Sequence, residues 1–346
     1  MPMMNSQILE NTRTYDIEHF FAKTLRLESE VLKDNPLKDP SVRFIPVLEP
    51  KAPHGPLPVV FLLGGFTGNA PYYFNPKFNQ LNTVQELDLA YGRGEAPTAL
   101  YVFVDAMTTW GGSQLINSAA TGRYEDYIVQ ELVPLIQSSF PVSKDPNSWC
   151  VMGGSSGGYG ALHLGSKHPD IFGLIGAIAP DSFFQASLLP EIYPVLPLWE
   201  KFNRSGFRAL EELRAGKLTK LRNWHTVLNV FGMASCYSAK GEHGDFSLPV
   251  DSHSGLVIES EWQKWLSFDP IYFLAERLPQ LKKTEGIYLD VGNKDNFHLQ
   301  FGARQISELL KTNHVPHEYV EFDGTHFDIG ERRTEVFRWL SGLWRG

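Results

Sequence analysis

One stretch of the sequence constrains the fold more than any other: SWCVMGGSSGGYGALHLGSKH, residues 148–168. A short apolar run, typical of a buried strand, leads into a glycine-rich turn and then into a run typical of a helix. The turn contains Gly-x-Ser-x-Gly in two overlapping registers, one centred on Ser155 and the other on Ser156. A serine on a sharp strand-to-helix turn is exposed at a sheet edge, and the residues two positions before and after it must be small. The stretch therefore predicts a nucleophilic serine within an α/β sheet.

Two other interpretations of this stretch are a Gly/Ser-rich linker and a phosphate-binding loop. A linker does not normally join a core strand to a helix, and the Lys-Ser/Thr ending of a phosphate loop is absent. The glycines fit either serine. With Ser155 as the nucleophile, the apolar run ends at Met152 and Gly153 follows at once, whereas Ser156 would begin the turn one residue late. The end of the strand therefore favours Ser155.

The rest of the chain alternates strand-like and helix-like segments. Several apolar runs are continuous, as expected for strands buried on both faces of a mostly parallel sheet. Helical spacing of apolar residues follows in residues 122–140, 158–169, 303–315 and 332–343. This alternation predicts an α/β fold with helices on both faces of the sheet. The strand-like runs are SVRFIPVL, LPVVFLL, TALYVFVDA, SWCVM, FGLIGAIA, GIYLDVG and HEYVEFDG.

Residues 182–267 interrupt this alternation. They combine a proline-rich piece, LPEIYPVLPLW, with a charged helical piece, RALEELRAGKLTKL, and a polar loop. The segment lies between two core strands, so we expect an insertion over the carboxyl ends of the sheet, where open α/β sheets bind ligands. A cap or lid is the functional interpretation and a decorative surface insertion is the alternative. The expected organisation is a single domain over residues 1–346 with this helical insertion.

A serine hydroxyl needs a base and an acid, and hydrolases of this kind order them after the serine, acid first and histidine second. Asp295 lies just past one strand-like run, in YLDVGNKDNFH, and His326 lies just past the next, in YVEFDGTHF. Both then meet Ser155 at one edge of the sheet. Asp181 is a rival acid, whereas Asp290 falls within the strand itself. The other histidines lack this placement at a strand end.

The oxyanion formed during acyl transfer needs preorganised donors. One is normally the backbone N–H after the nucleophile, here Ser156, and the other comes from the loop after an early strand. FLLGGFTGN is that loop, and it places Phe66 after two glycines. Trp110, Phe183 and Phe184 are candidates for lining an acyl or aryl pocket, or else for the core.

These residues resemble a known family. GGSSGGYGAL is similar to the elbow of the "putative esterase" family of α/β-hydrolases, which includes S-formylglutathione hydrolase, feruloyl esterase, enterochelin esterase and mycolyltransferase branches, and closest to a branch with SSGG there. The similarity continues in NPLKDPSVRF, LLGGFTGN, GGSQLINSAATGRYEDYIVQELVP and KHPDIFG. It implies the α/β-hydrolase fold, Ser155 as nucleophile, and Phe66, Asp295 and His326 in the roles given above. Gly64 replaces a common histidine, and APDS replaces a common Ser-Gly; these departures bear on the substrate.

The composition of the chain argues against nucleic acid and membranes as binding partners. The 346 residues carry a net charge of -8, without the basic face that nucleic-acid binding needs. No apolar run approaches a membrane span, and the N-terminus lacks the pattern of a signal peptide. The two cysteines, Cys150 and Cys236, suggest no disulfide framework. We expect a soluble cytoplasmic protein that binds neither nucleic acid nor a membrane, with homo-oligomerisation left open.

The sequence thus predicts a serine hydrolase that cleaves carboxylic esters of small molecules through an acyl-enzyme, with no cofactor and no metal. An acyltransferase, a thioesterase or a peptidase would use the same triad, and a non-catalytic binding protein could keep the same fold. A metal enzyme is the last alternative, although its candidate ligands match no established zinc spacing. Those ligands are His243, Asp245, Asp251, His253, His314 and His317.

Overall fold

A computed structural model describes residues 6–10, 17–53, 55–241 and 244–344. Nine strands of this part of the chain form one sheet, with the spatial order β1-β2-β3-β5-β4-β6-β7-β8-β9. The strands are β1 Ser6–Glu10, β2 Phe20–Glu28, β3 Val42–Pro50, β4 Val59–Leu63, β5 Leu100–Val104, β6 Trp149–Gly154, β7 Leu174–Ile178, β8 Gly286–Gly292 and β9 His317–Phe322.

The sheet has an antiparallel part and a parallel part. Strands β1, β2 and β3 pair antiparallel, and so do β3 and β5. From β5 onward every neighbouring pair is parallel, with Gly153 of β6 opposite Leu63 of β4 on one side and Ala177 of β7 on the other. The carboxyl ends of β4, β6, β7, β8 and β9 therefore share one edge. The predicted mostly parallel α/β sheet is confirmed, and β1 and β2 extend it beyond the predicted strands.

Helices cover both faces of this sheet. Alternate strand residues point to opposite faces, so Phe61 and Val151 belong to one buried cluster while Leu62 and Met152 belong to the other. This two-sided burial is why the strands appear in the sequence as unbroken apolar runs. The helices before β7 and after β8 are α1 Thr83–Gly92, α2 Tyr124–Asp126, α3 Val133–Ser139 and α4 Ser156–Lys167, followed later in the chain by α13 Leu299–Thr312 and α14 Arg333–Trp344.

The helix predicted over residues 122–140 is interrupted. A π-helical segment, Tyr127–Leu132, connects α2 to α3. Single-turn helices of the 3₁₀ type occur at Ala70–Phe74, Pro146–Ser148, Tyr193–Val195, Leu218–Lys220 and His326–Asp328. The last of these carries the predicted catalytic histidine.

Between β7 and β8 more than half of the described chain is helical. The helices are α5 Phe184–Ser187, α6 Leu189–Ile192, α7 Leu196–Lys201, α8 Gly206–Arg214, α9 Trp224–Tyr237, α10 Glu259–Ser267, α11 Pro270–Glu276 and α12 Leu278–Leu281. The strands described within residues 182–267 are the short antiparallel pair Ala239–Lys240 and Asp245–Phe246. Helix α9 carries side chains toward the carboxyl edge of the sheet, where its Gly232 lies against the ring of Phe66.

Candidate active site

Ser155 occupies a sharp turn between β6 and α4. Its backbone has φ 59° and ψ −127°, a conformation rarely adopted by a residue with a side chain. Its N–H donates to the carbonyl of Ile178 on the neighbouring strand at 2.9 Å. The strand runs to Gly154, two residues beyond the end of the apolar run, so the predicted end at Met152 is wrong. Ser155 nevertheless follows the last strand residue directly.

Glycines two residues on either side of Ser155 let the turn approach β4. A Cβ on Gly153 would lie 2.8 Å from the carbonyl oxygen of Leu63, and one on Gly157 would lie 2.5 Å from the same oxygen. Both distances are shorter than a van der Waals contact. The Leu63 oxygen belongs to the backbone of a central strand, so it cannot move aside as a flexible side chain could. Both positions therefore require glycine, and this close approach is the one expected around a nucleophilic serine at Ser155.

The side chains of Ser155, His326 and Asp295 form a continuous line of contacts. Ser155 Oγ lies 3.0 Å from His326 Nε2, and His326 Nδ1 lies 2.7 Å from Asp295 Oδ2. Because an ionised carboxylate only accepts hydrogen bonds, Nδ1 carries the proton and Nε2 is left to accept from the serine hydroxyl. The structure thus brings together the three residues that the sequence singled out.

The loops after β8 and β9 hold the acid and the histidine in place. Asp295 is buried, and its Oδ1 accepts from the N–H of Phe297 at 2.8 Å. The N–H of His326 donates to Asn296 Oδ1 at 3.2 Å, which joins the two loops. The Phe297 ring lies edge-on to the imidazole, with 4.8 Å between ring centroids. The imidazole is therefore fixed on one side by a carboxylate and on another by an aromatic ring.

Ser156 faces a different carboxylate. Its Oγ donates to Asp181 Oδ2 at 2.7 Å, and Gln114 Nε2 donates to the same oxygen at 3.2 Å. Burial raises the pKa of Asp181, while these hydrogen bonds oppose the rise. Asp181 Oδ1 also lies 3.4 Å from Ser155 Oγ, but no hydrogen bond joins Asp181 to His326 among the described residues. The rival acid therefore contacts the two serines rather than the histidine.

The candidate oxyanion donors lie beside Ser155. A Cβ on Gly65 would be 3.6 Å from the Ser155 Cβ, so the loop after β4 passes directly over the nucleophile. Phe66 follows in that loop, and its carbonyl is anchored by the N–H of Gly112 at 2.7 Å. Ser156 is the first residue of α4, and its N–H therefore precedes the first intrahelical hydrogen bond. Both donors border the cavity described next.

A cavity of about 510 Å³ opens above the serine. Loops of the sheet edge contribute one wall, and residues 182–267 contribute the other through α9 and the loop after α5. The lining comprises Gly65, Phe66, Thr67, Gly68, Tyr72, Tyr73, Gly154, Ser155, Ser156, Asp181, Ser187, Leu188, His225, Asn229, Met233, Phe297, Leu299, His326, Phe327, Ile329 and Arg333.

The three predicted pocket aromatics do not belong to this lining, so that prediction is wrong for this cavity. Trp110 is buried edge-on against Phe231 and Phe246, in the core beneath the insertion. Phe184 stacks on Tyr237 and is fully buried. Phe183 has a left-handed backbone, and its N–H donates to Asp269 at 2.9 Å. The rings of Trp110 and Phe184 thus pack against aromatic side chains of residues 182–267.

Comparison with known proteins places the chain in a family. The family model described as "Putative esterase" matches residues 41–329. The chain belongs to this esterase family. The predicted family and fold are therefore confirmed.

Individual relatives are distant from this esterase-family chain. S-formylglutathione hydrolase of Mus musculus is 26% identical over 180 residues, which are 49% of this chain and 59% of that enzyme's length. A ferulic acid esterase structure is 16% identical, with a TM-score of 0.57 over 98% of this chain and 99% of its own. The fluorophosphonate-binding serine hydrolase FphF of Staphylococcus aureus is 14% identical, with a TM-score of 0.57 over 94% and 99%. At these identities the solved structures support the fold.

The candidate metal ligands were the basis of the last alternative, a metal enzyme. His243 lies outside the described residues. Within the described ranges, no group of three or more His, Cys, Asp or Glu side chains is arranged to hold a metal ion. Asp251 instead accepts from the N–H of Ser254 at 2.7 Å, and His317 contacts Ser307 at 3.1 Å. A search of the described helices for one that could span a bilayer finds none.

Several residues of the cavity are not predicted by the sequence. Tyr73, His225, Asn229, Met233 and Arg333 all line it. None of them belongs to a motif, and they come from separate segments before β5, within the insertion and after β9. Phe297 had a local signal, since it lies two residues after Asp295.

Proposed function

We propose that this chain is a serine hydrolase that cleaves carboxylic esters through an acyl-enzyme. The observation that carries the proposal is the line of contacts from Ser155 through His326 to Asp295, at 3.0 and 2.7 Å. A serine is a weak nucleophile by itself, and a histidine oriented by a carboxylate activates it. Membership of the esterase family supports the same activity.

In the first half of the reaction, Ser155 Oγ attacks the ester carbonyl while its proton passes to His326 Nε2. Asp295 holds the proton on Nδ1 and stabilises the imidazolium that forms. The carbonyl oxygen becomes an oxyanion, to which we assign the N–H groups of Phe66 and Ser156 as donors. Collapse of the tetrahedral intermediate breaks the bond to the alcohol oxygen, which leaves with the proton from Nε2.

In the second half, water replaces the alcohol. His326 Nε2 takes a proton from the water as the water oxygen attacks the acyl carbon, and a second oxyanion forms at the same two N–H groups. Its collapse breaks the acyl–Oγ bond, returns the proton to Ser155 and releases the acid. Every proton and group in this cycle is supplied by the ester, water and these side chains.

The substrate class that we propose is a small-molecule ester. A cavity of about 510 Å³ falls within the range of small-ligand sites. The mouse relative is a hydrolase of S-formylglutathione by its name, and a structural neighbour is a ferulic acid esterase. The cytoplasmic location and the oligomeric state stay predictions from the sequence.

We also propose that residues 182–267 act as a cap within a single domain. Helix α9 supplies His225, Asn229 and Met233 to the cavity wall, and the loop after α5 supplies Leu188. These side chains lie over the carboxyl edge of the sheet, which supports a role in substrate selection. A decorative insertion would have no reason to contribute one wall of the cavity.

The test is hydrolysis of 4-nitrophenyl acetate and butyrate by the wild type and by Ser155→Ala. The variant should lose at least about a thousandfold in kcat, because no other group can form the acyl-enzyme. Equal activity of the variant, or none in a folded wild type toward esters and thioesters, would overturn the proposal. Added alcohols report whether the acyl group goes to water or to another acceptor.

A further inference from the structure

Arg333 lies in the wall of the cavity that contains Ser155 and His326. It is half-buried, begins α14 and lies four residues after Ile329. Ile329 in turn packs directly on the elbow, because its Cδ1 lies 3.2 Å from where a Cβ on Gly154 would be. Arg333 therefore lines the same cavity as the candidate triad.

The guanidinium is held by contacts that leave much of its donor capacity unused. Its Nη1 donates to the Gly330 carbonyl at 3.0 Å. Its central carbon lies 5.2 Å from the centroid of the buried Tyr73 ring, whose hydroxyl donates to Leu63 O at 3.0 Å. A guanidinium has five N–H donors, arranged in a fork that matches a carboxylate. The Tyr73 side chain, whose hydroxyl also hydrogen-bonds to the guanidinium, thus supports this fork.

Arg333 also differs from its chain neighbours Arg332 and Arg338 in its charge partners. Arg332, Arg338 and Arg304 each form an ion pair with a carboxylate, whereas none of the ion pairs in the described part of the chain includes Arg333. Its charge acts on the Tyr73 hydroxyl and on Glu86, and Glu86 is also subject to Lys77 and Glu331. Asp181 borders the same cavity, but Ser156 and Gln114 already hold it.

We propose that Arg333 is a substrate-binding residue that selects esters carrying a second, anionic group of the carboxylate class. The inference rests on the proposed esterase function and assigns its substrate. Arg333 is partly desolvated and has no ion-pair partner among the described residues. A carboxylate that enters the cavity would therefore form a charge-assisted hydrogen bond with it that is stronger than the same bond in water. A neutral ester of the same size leaves the guanidinium to water.

The test compares matched esters that differ only in charge. One pair is the 4-nitrophenyl monoester of adipic acid and its methyl ester, which places the anion on the acyl side. The other pair is 4-acetoxybenzoate and methyl 4-acetoxybenzoate, which places the anion on the alcohol side. For at least one pair, Arg333→Gln should lower the anionic-to-neutral ratio of kcat/KM about tenfold, as expected for loss of one charge-assisted hydrogen bond. Arg333→Lys should recover part of that ratio.

Arg338→Gln is the matched control, since Arg338 lies on the same helix but pairs with Glu335 and Glu95. It should leave the ratio unchanged. A ratio that stays within about twofold of the wild type in Arg333→Gln for both pairs would overturn the inference, because a packing role changes both esters alike. Failure of the esterase function itself would appear as no turnover of any ester.

Binding of monomethyl adipate and 4-hydroxybenzoate, measured by calorimetry in Ser155→Ala with and without Arg333→Gln, tests the inference separately from turnover. Equal affinities of the two proteins for both ligands would contradict it.

Discussion

Ser155 and Ser156 are adjacent in the chain, yet it is the Ser155 hydroxyl that lies against His326 while Asp181 holds the Ser156 hydroxyl. Ser155 Oγ lies 3.0 Å from the Nε2 of His326, while Ser156 Oγ donates to Asp181 at 2.7 Å. The turn at Ser155 directs the first side chain toward the cavity, and the start of α4 directs the second into the protein, where Ser156 is 2% exposed. This difference separates the chemistry of the two serines.

Ser156→Ala should therefore affect stability more than catalysis. The substitution keeps the backbone N–H that we assign to the oxyanion, so kcat should fall by no more than about tenfold. It removes a hydrogen bond from a buried carboxylate, which should lower the free energy of unfolding by about 1–3 kcal/mol. Ester kinetics and urea unfolding measure the two effects. A loss of activity as large as that of Ser155→Ala would contradict the assignment.

Replacing either candidate acid by asparagine should lower kcat, but by unequal amounts. Asp295→Asn removes the acceptor of the His326 Nδ1 proton. The value of kcat should fall by roughly a thousandfold or more, because the imidazole is no longer held in the tautomer that carries its proton on Nδ1. Asp181→Asn, the matched control, leaves the contact between His326 and Asp295 intact and should cost less than about a hundredfold. The kcat values of both variants with one ester decide between the acids. A larger loss in Asp181→Asn would make Asp181 the catalytic acid.

The buried imidazole of His163, on α4 behind the nucleophile, should make stability depend on pH. Burial lowers its pKa to about 4, although the hydrogen bond to Glu125 opposes the shift. Its Nδ1 lies 3.5 Å from Arg277 Nη1, so a proton there would face a guanidinium. The unfolded chain binds this proton near pH 6.5 and the folded chain only near pH 4. The unfolded state binds more protons between these values, and the free energy of unfolding therefore falls as the pH is lowered through that range.

Urea unfolding from pH 7 to pH 4 measures this effect. His163 should contribute roughly 3 kcal/mol of the loss. His163→Gln removes the titrating group while retaining a side-chain N–H for Glu125, so its stability should decline less steeply over this range. Parallel curves for the variant and the wild type would show that His163 is not buried as a neutral ring.

The elbow should not tolerate a side chain at Gly157. Its Cβ would meet the Leu63 carbonyl at 2.5 Å, and overpacking of this kind costs about 1–3 kcal/mol or more. Gly157→Ala should therefore lower the melting temperature and the activity together. Gly342→Ala is the control within a helix, because nothing lies within 4 Å of its added Cβ, and it should stabilise α14 by about 0.5–1 kcal/mol. An unchanged melting temperature in Gly157→Ala would contradict the close approach of β4 and the elbow.

The central strands could be predicted from the sequence, and the first strands could not. Strands β4 to β8 are buried on both faces, which leaves unbroken apolar runs such as VVFLL and LIGAI. Strand β2 instead mixes half-buried and exposed positions with charged residues such as Lys23 and Arg26, so its sequence shows no clear strand pattern. Residues 6–10 pair with β2 through the backbone, which sequence pattern does not report.

The site was predictable where chemistry coincides with a strand end. Asp295 and His326 each follow a recognisable strand, and parallel strands bring their carboxyl ends together. No comparable rule predicts which residues line the cavity. Trp110 and Met233 are both apolar, and only the packing of the insertion decides that Trp110 is buried while Met233 borders the cavity. Arg333 likewise gives no local signal, since its importance depends on the absence of an ion pair among the described residues.

The central claim is that Ser155 is the nucleophile, and covalent labelling tests it most directly. The wild type, Ser155→Ala and Ser156→Ala would each be treated with a fluorophosphonate, and the adduct located by mass spectrometry of the peptide that contains the elbow. We predict one adduct on Ser155 in the wild type and in Ser156→Ala, and none on this peptide in Ser155→Ala. An adduct on Ser156, or labelling that persists in Ser155→Ala, would contradict the account.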